Sequence, residues 1–240
     1  MAKLILDTCS WLDLAKPKFS ELLDELESQV SKGITVLLTS DIIIQEWDRN
    51  KDKILNETKH SIREHAKSAY KMGELLDDPS KSVLQELIGK YKSIEKEQEL
   101  IAEAYIVKVE TLLKASTVYK ISDALKIEMA DRAVLKKAPF HNSKNNMADA
   151  LLYFGAVEYV EKETQIASDL FFVTSNSHEF SDPDDATKLH PDLQKWNVHF
   201  YGNLALALKM RKELVDELDE YHEYQLWDWI EWQAEIARGK

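Results

Sequence analysis

The chain is short of the residues that make cross-links and tight turns. Its 240 residues include a single cysteine, Cys9, with six glycines and five prolines. One thiol excludes an internal disulfide and fits a reducing compartment, so a cytoplasmic location is expected. With so few Gly and Pro, long helices with few tight turns are predicted. No apolar run approaches the ~18 uninterrupted residues of a membrane span. The N-terminal stretch reads as a strand with an acid at position 7, which is not the build of a signal peptide. The seven histidines show no zinc-ligand spacing; His60 and His65, five apart, fall on different faces of a helix.

What the chain does have is apolar residues, at 44%, and acids. The apolar content and length suit one large domain, or a domain with a sizeable insertion. The net charge of −12 argues against a nucleic-acid partner only until its distribution is read. Glu213 to Glu235 holds nine acids and no Lys or Arg, whereas Arg49 to Lys71 has seven basic residues against three acids. Arg132 to Lys144 adds four basic residues and no acid. A local field able to attract phosphates is therefore compatible with an acidic whole.

Strands are predicted at 3–7, 34–38, 170–174 and 197–201, and helices at about 17–31 and from 38 to about 162. Apolar strands such as Leu4-Ile5-Leu6, separated by helices, indicate an α/β fold with a doubly wound parallel sheet. Residues 50–135 read as a long helical insertion of two long helices and a shorter third, with Ser80 or Ser82 as a cap after Asp78-Pro79. Residues 1–240 are thus expected to form a single domain, with a C-terminal helix over about 203–237. That helix carries Trp227, Trp229 and Trp232. Core packing is its first reading, and a homodimer or protein-partner surface its second.

Acids stand at three places where such a fold gathers ligands. Asp7 ends the first strand, Glu46 lies in the first turns of the helix after the second, and Asp149 opens an apolar helix after Asn145-Asn146-Met147-Ala148. In open α/β sheets ligands collect outside the carboxyl ends of the strands, so the three carboxylates suggest a metal site. Asp7 and Asp149 can also be read as helix caps, and Asn176 as a turn residue in Thr174-Ser175-Asn176-Ser177.

These motifs, over residues 3–48 and 138–201, resemble the PIN-domain nucleases. Leu4-Ile5-Leu6-Asp7-Thr8, Glu46 and the Asp149 helix start are joined by Phe171-Phe172-Val173-Thr174-Ser175-Asn176 through Phe180, which resembles the family's fourth segment. The resemblance implies metal-dependent phosphodiester hydrolysis, most often of RNA, with Asp7, Glu46 and Asp149 as acidic ligands of Mg²⁺ or Mn²⁺. Both are hard cations that take oxygen ligands. Asn176 falls where many members carry a fourth acid, and Asp182 is a candidate replacement. Cys9 departs from the Ser or Asn often found there, leaving Thr8 or Ser10 to supply a hydroxyl. Substrate contacts are expected from Lys136, Lys137, His141, Lys144 and the N–H groups near Asn145 and Asn146, with Lys51, Lys53, Lys59 and Arg63 extending the track. Phe140 is placed to stack on a base.

Two other functions compete. A haloacid-dehalogenase-type phosphotransferase also begins strand–Asp, but needs a second acid where this chain has Cys9. A non-catalytic PIN-like module that binds RNA or protein is kept open by Asn176.

Overall fold

The computed structural model of the chain describes residues 2–141, 146–163 and 168–217. The Trp-rich segment, Lys144 and Asn145 lie outside them. Five strands form one all-parallel sheet: β1 (Ala2–Leu6), β2 (Thr35–Ser40), β3 (Thr117–Tyr119), β4 (Leu170–Val173) and β5 (Val198–Tyr201). Their spatial order is β3-β2-β1-β4-β5, so the winding reverses at β1. A doubly wound sheet opens its crevice at that reversal. The register sets Leu6 beside Val173 and Ile5 beside Leu38, which brings the ends of β1, β2 and β4 together.

β1 is buried along its whole length, as expected of a central strand covered on both faces. Helices α1 (Thr8–Leu14), α2 (Ser20–Ser31), α3 (Asp41–Gly73), α4 (Asp78–Ala115), α5 (Asp123–Val134), α6 (Met147–Glu163) and α7 (Ser177–Phe180) follow in chain order, with a further helix over 204–217. Gly33, at φ 70°, turns the chain from α2 into β2 in a conformation that suits glycine. The core collects Trp11 of α1, Trp47 of α3, Phe171 and Phe172 of β4 and Tyr153 of α6, all fully buried. A smaller cluster of Leu125, Met129, Phe140, Ala150 and Leu151 joins α5 to α6. No helix among the described residues is long and apolar enough to cross a membrane.

Several expectations are corrected. Residues 8–14 form a helix where none was expected, and Thr117–Tyr119 forms an edge strand inside the stretch read as helix. That strand is three residues long, too short for alternation to register. Asp77, rather than Ser80 or Ser82, caps α4, its carboxylate accepting from the Ser80 N–H at 3.3 Å. Phe140 is buried in the smaller cluster, so its ring is not offered to a base.

The insertion is a hairpin of α3 on α4. With 33 and 38 residues, its helices are roughly 50 Å long or more. Ile43 and Trp47 of α3 and Ile106, Val109, Leu112 and Leu113 of α4 anchor its base in the core, and Ala66, Gly73, Ile88 and Ala102 are the residues of the two helices buried further out. The basic face expected on α3 is directed largely at α4. Lys51 pairs with Glu110 at 3.1 Å, Lys59 with Glu103 at 2.5 Å and Arg63 with Glu99 at 2.6 Å.

Candidate active site

β1 ends on Asp7, whose backbone N–H donates to the Val173 carbonyl at 3.1 Å and so fixes it against the end of β4. Its side chain caps α1, accepting from the Ser10 N–H at 2.7 Å, and also accepts from the Thr174 hydroxyl at 2.6 Å. Thr174 in turn accepts from the Asn176 N–H at 3.0 Å. Asp7 is therefore both helix cap and member of an acid cluster, and the two readings from sequence coincide in one carboxylate. Burial pushes its pKa up, while the Ser10 and Thr174 hydrogen bonds hold it down.

β2 runs straight into α3, so Glu46 stands near the start of that helix. Its carboxylate accepts from the Thr8 hydroxyl at 2.5 Å, which ties α3 to α1 across the sheet edge. Thr8 thus supplies a hydroxyl beside Cys9. The Cys9 thiol is exposed, and desolvation followed by the charges of Asp7, Asp149 and Asp13 pushes its pKa up, the wrong direction for a nucleophile.

Asp149 lies in the first turn of α6. Desolvation, then the charges of Asp7, Glu179 and Glu46, push its pKa up to about 6, opposed by a hydrogen bond from the Asn176 side chain. Three acids from three other segments thus act on Asp149. Asn176 is bound to the cluster through its amide. Asp182 is engaged in its own turn, accepting from the Asp184 N–H at 2.8 Å.

Glu179 was not singled out in the sequence. It is 2% exposed, and neither carboxylate oxygen has a hydrogen-bond partner among the described residues. The signal was there: an acid beside Phe180, within the segment already matched, in a turn that follows a fully buried strand.

The expected substrate residues divide. Lys136 and Lys137 are exposed at the end of α5. Their N–H groups close that helix onto the Ala133 and Arg132 carbonyls, at 3.2 and 3.1 Å, with Lys136 at φ 51°. Asn146 is buried, and its amide donates to the Pro139 carbonyl at 2.9 Å, which fixes the loop before α6. A groove of about 720 Å³ also opens beside Ser10 and Ser175. Lys18, Lys209 and Lys212 line it, opposed by Asp13, Glu21 and Glu25.

Among the described residues no three His, Cys, Asp or Glu side chains form a ready-made metal-ligand set. The donor chemistry nevertheless fits a hard divalent cation. Every acid offers oxygen, Asp149 is raised by burial and by the negative charge around it, and Glu179 is buried with no hydrogen-bond donor among the described residues.

A family model described as the PIN domain matches residues 4–180, well over half of the chain. Comparisons with curated proteins and with solved structures gave no match.

Proposed function

The chain belongs to the PIN-domain family, and from that premise we propose that it is an endonuclease that hydrolyses RNA phosphodiester bonds with Mg²⁺ or Mn²⁺. PIN domains are in general nucleases. The observation that carries the finer reading is the coupling at Asp149, whose carboxyl is pushed to about 6 by burial and by three neighbouring acids. Perturbed carboxyls gathered at a sheet's switch point are what a reaction site there requires.

Asp7, Glu46 and Asp149 would hold the cation, with water completing its oxygen shell. When bound, the cation lowers the pKa of a water and neutralises charge developing on the phosphate. The chain's own groups do the positioning. Ser10 and Thr174 fix the Asp7 carboxylate, Thr8 fixes Glu46, and the Asn176 amide orients Asp149. Lys136 and Lys137, exposed at the end of α5, are the cations that would meet phosphates.

The test is cleavage of a mixed-sequence single-stranded RNA with Mn²⁺ or Mg²⁺, comparing wild type with Asp149→Asn and with an EDTA control. Metal-dependent cutting that is lost in a variant of normal fold is the expected result. No cutting of RNA or DNA by the wild type would favour the non-catalytic module, the reading that the amide at Asn176 supports.

A further inference from the structure

We propose that the groove beside Ser10 and Ser175 is a base-recognition subsite that takes guanine from the strand being cut. The proposal rests on the nuclease reading above and gives that site a base preference. The inner end of the groove is formed by two residues whose backbones hydrogen-bond the Asp7 carboxylate, Ser10 at 2.7 Å and Ser175. A strand whose phosphate lies at Asp7 therefore has this groove, of about 720 Å³, open to the neighbouring nucleotide. Its volume is that of a small-molecule site. Leu14, Leu204 and Leu208 are buried beneath it, with Phe19 and Leu22 half-buried alongside, so it offers apolar contact to the flat face of a ring.

Charge decides between a base and a phosphate. Lys18, Lys209 and Lys212 line the groove with Asp13, Glu21 and Glu25, and a groove without net charge does not draw in a polyanion. A neutral ring with polar edges suits it better. Most of the charged groups are already committed. Asp13 accepts from Lys16 at 2.6 Å, Glu25 from Gln29 at 2.9 Å, and Lys209 lies 3.7 Å from Glu213. The Lys18 ammonium stands 4.7 Å over the Phe19 ring. Glu21 and Lys212, both exposed, have no partner among the described residues. An ionised carboxylate is acceptor-only, with two oxygens side by side. Guanine is the RNA base that presents two adjacent donors, the ring N–H and the amine beside it, while its O6 and N7 accept from a lysine. Asn203 adds a donor. Its Oδ1 accepts from the Leu206 N–H at 3.1 Å, which fixes the amide and leaves the NH₂ group to donate.

The test has a cleavage arm and a binding arm, each run on wild type and Glu21→Gln. In the first, single-stranded RNAs that differ at one position, carrying guanine, hypoxanthine, adenine or uracil, are cut with Mn²⁺. In the second, methyl and side-chain amide NMR of the metal-free protein in EDTA follows titration with guanosine, inosine and uridine 5′-monophosphates. These share one phosphate and differ only in the base, and hypoxanthine lacks only the amine of guanine. Cutting beside guanine, and guanosine monophosphate binding at the groove leucines, should exceed those for hypoxanthine or uracil by roughly tenfold or more. Glu21→Gln should erase both preferences. Metal-dependent cutting that ignores the base, with no preference among the three nucleotides in EDTA, overturns the proposal and leaves the nuclease reading standing. No cutting of any RNA, with the guanine preference present in EDTA, overturns the nuclease reading and supports the subsite. A guanine preference unchanged in Glu21→Gln overturns the proposal, because the selecting group then lies elsewhere.

Discussion

Among the described residues, Asp7 accepts hydrogen bonds from Ser10 and Thr174 in its buried position, Glu46 accepts one from Thr8, and Glu179 has no partner. Asp149, acted on by all three, carries the consequence: its folded pKa is pushed up to about 6, above the ordinary aspartate value of 3.8. Because the folded state then binds this proton more tightly than the unfolded state, the sign of the linkage is fixed. Below pH ~4 both states are protonated at this group and it costs nothing. As pH rises to about 6, the unfolded chain ionises first and stability falls; above about 6 the full penalty is present. Asp149→Asn removes it. In EDTA the variant should be more stable than wild type by on the order of 1–3 kcal/mol at pH 7.5, and by little at pH 4. Urea denaturation of both proteins at the two pH values measures the difference. A variant less stable than wild type at pH 7.5 would show that Asp149 is held by favourable contacts rather than strained by its neighbours.

Between elements, the close fit of α6 against β3 decides how well Asp149 is aimed. A Cβ at Gly155 would lie 2.7 Å from the Tyr119 ring, and that ring is fully buried, with its hydroxyl donating to the Leu152 carbonyl at 2.8 Å. Neither partner can yield without moving α6. Gly155→Ala should therefore destabilise the protein by about 1–3 kcal/mol, despite the usual gain from Gly to Ala within a helix. A thermal melt of the variant checks this, and a raised melting temperature would mean that the contact relaxes freely. This interface was invisible in the sequence, because β3 is three residues long and two of them are exposed. Longer elements were legible, since β1, β2 and β4 are apolar runs bounded by helices with their own periodicity. The acids at strand ends were legible for the same reason, as charge following an apolar strand stands out. Glu179 left a fainter signal, an acid beside Phe180, because its burial comes from Phe180 and the fold of the short α7 rather than from a periodic pattern. The orientation of the α3 cations toward α4 was equally out of reach, since it depends on which face of one long helix meets the other.

Over the whole molecule, a net charge of −12 has to coexist with a polyanionic substrate. Three cations of α3 are paired with acids of α4, and the groove beside Ser10 balances Lys18, Lys209 and Lys212 against Asp13, Glu21 and Glu25. The exposed Lys136 and Lys137 remain as the main uncompensated cations expected to meet phosphates. Each phosphate neutralised on a single strand contributes a slope of about −0.7 to log K against log salt. Two such contacts give a slope of roughly −1 to −2, far shallower than that of a basic nucleic-acid binder. Measuring kcat/KM on single-stranded RNA from low to moderate salt, at fixed Mn²⁺, should yield that shallow dependence. Lys137→Gln should then reduce the slope by about 0.7, because one counterion fewer is released. A slope steeper than about −4 in the wild type would require more phosphate contacts than these two lysines supply. In that case the ion pairs between α3 and α4 would have to open as the strand binds, turning the hairpin from a self-neutralised arm into part of the substrate path.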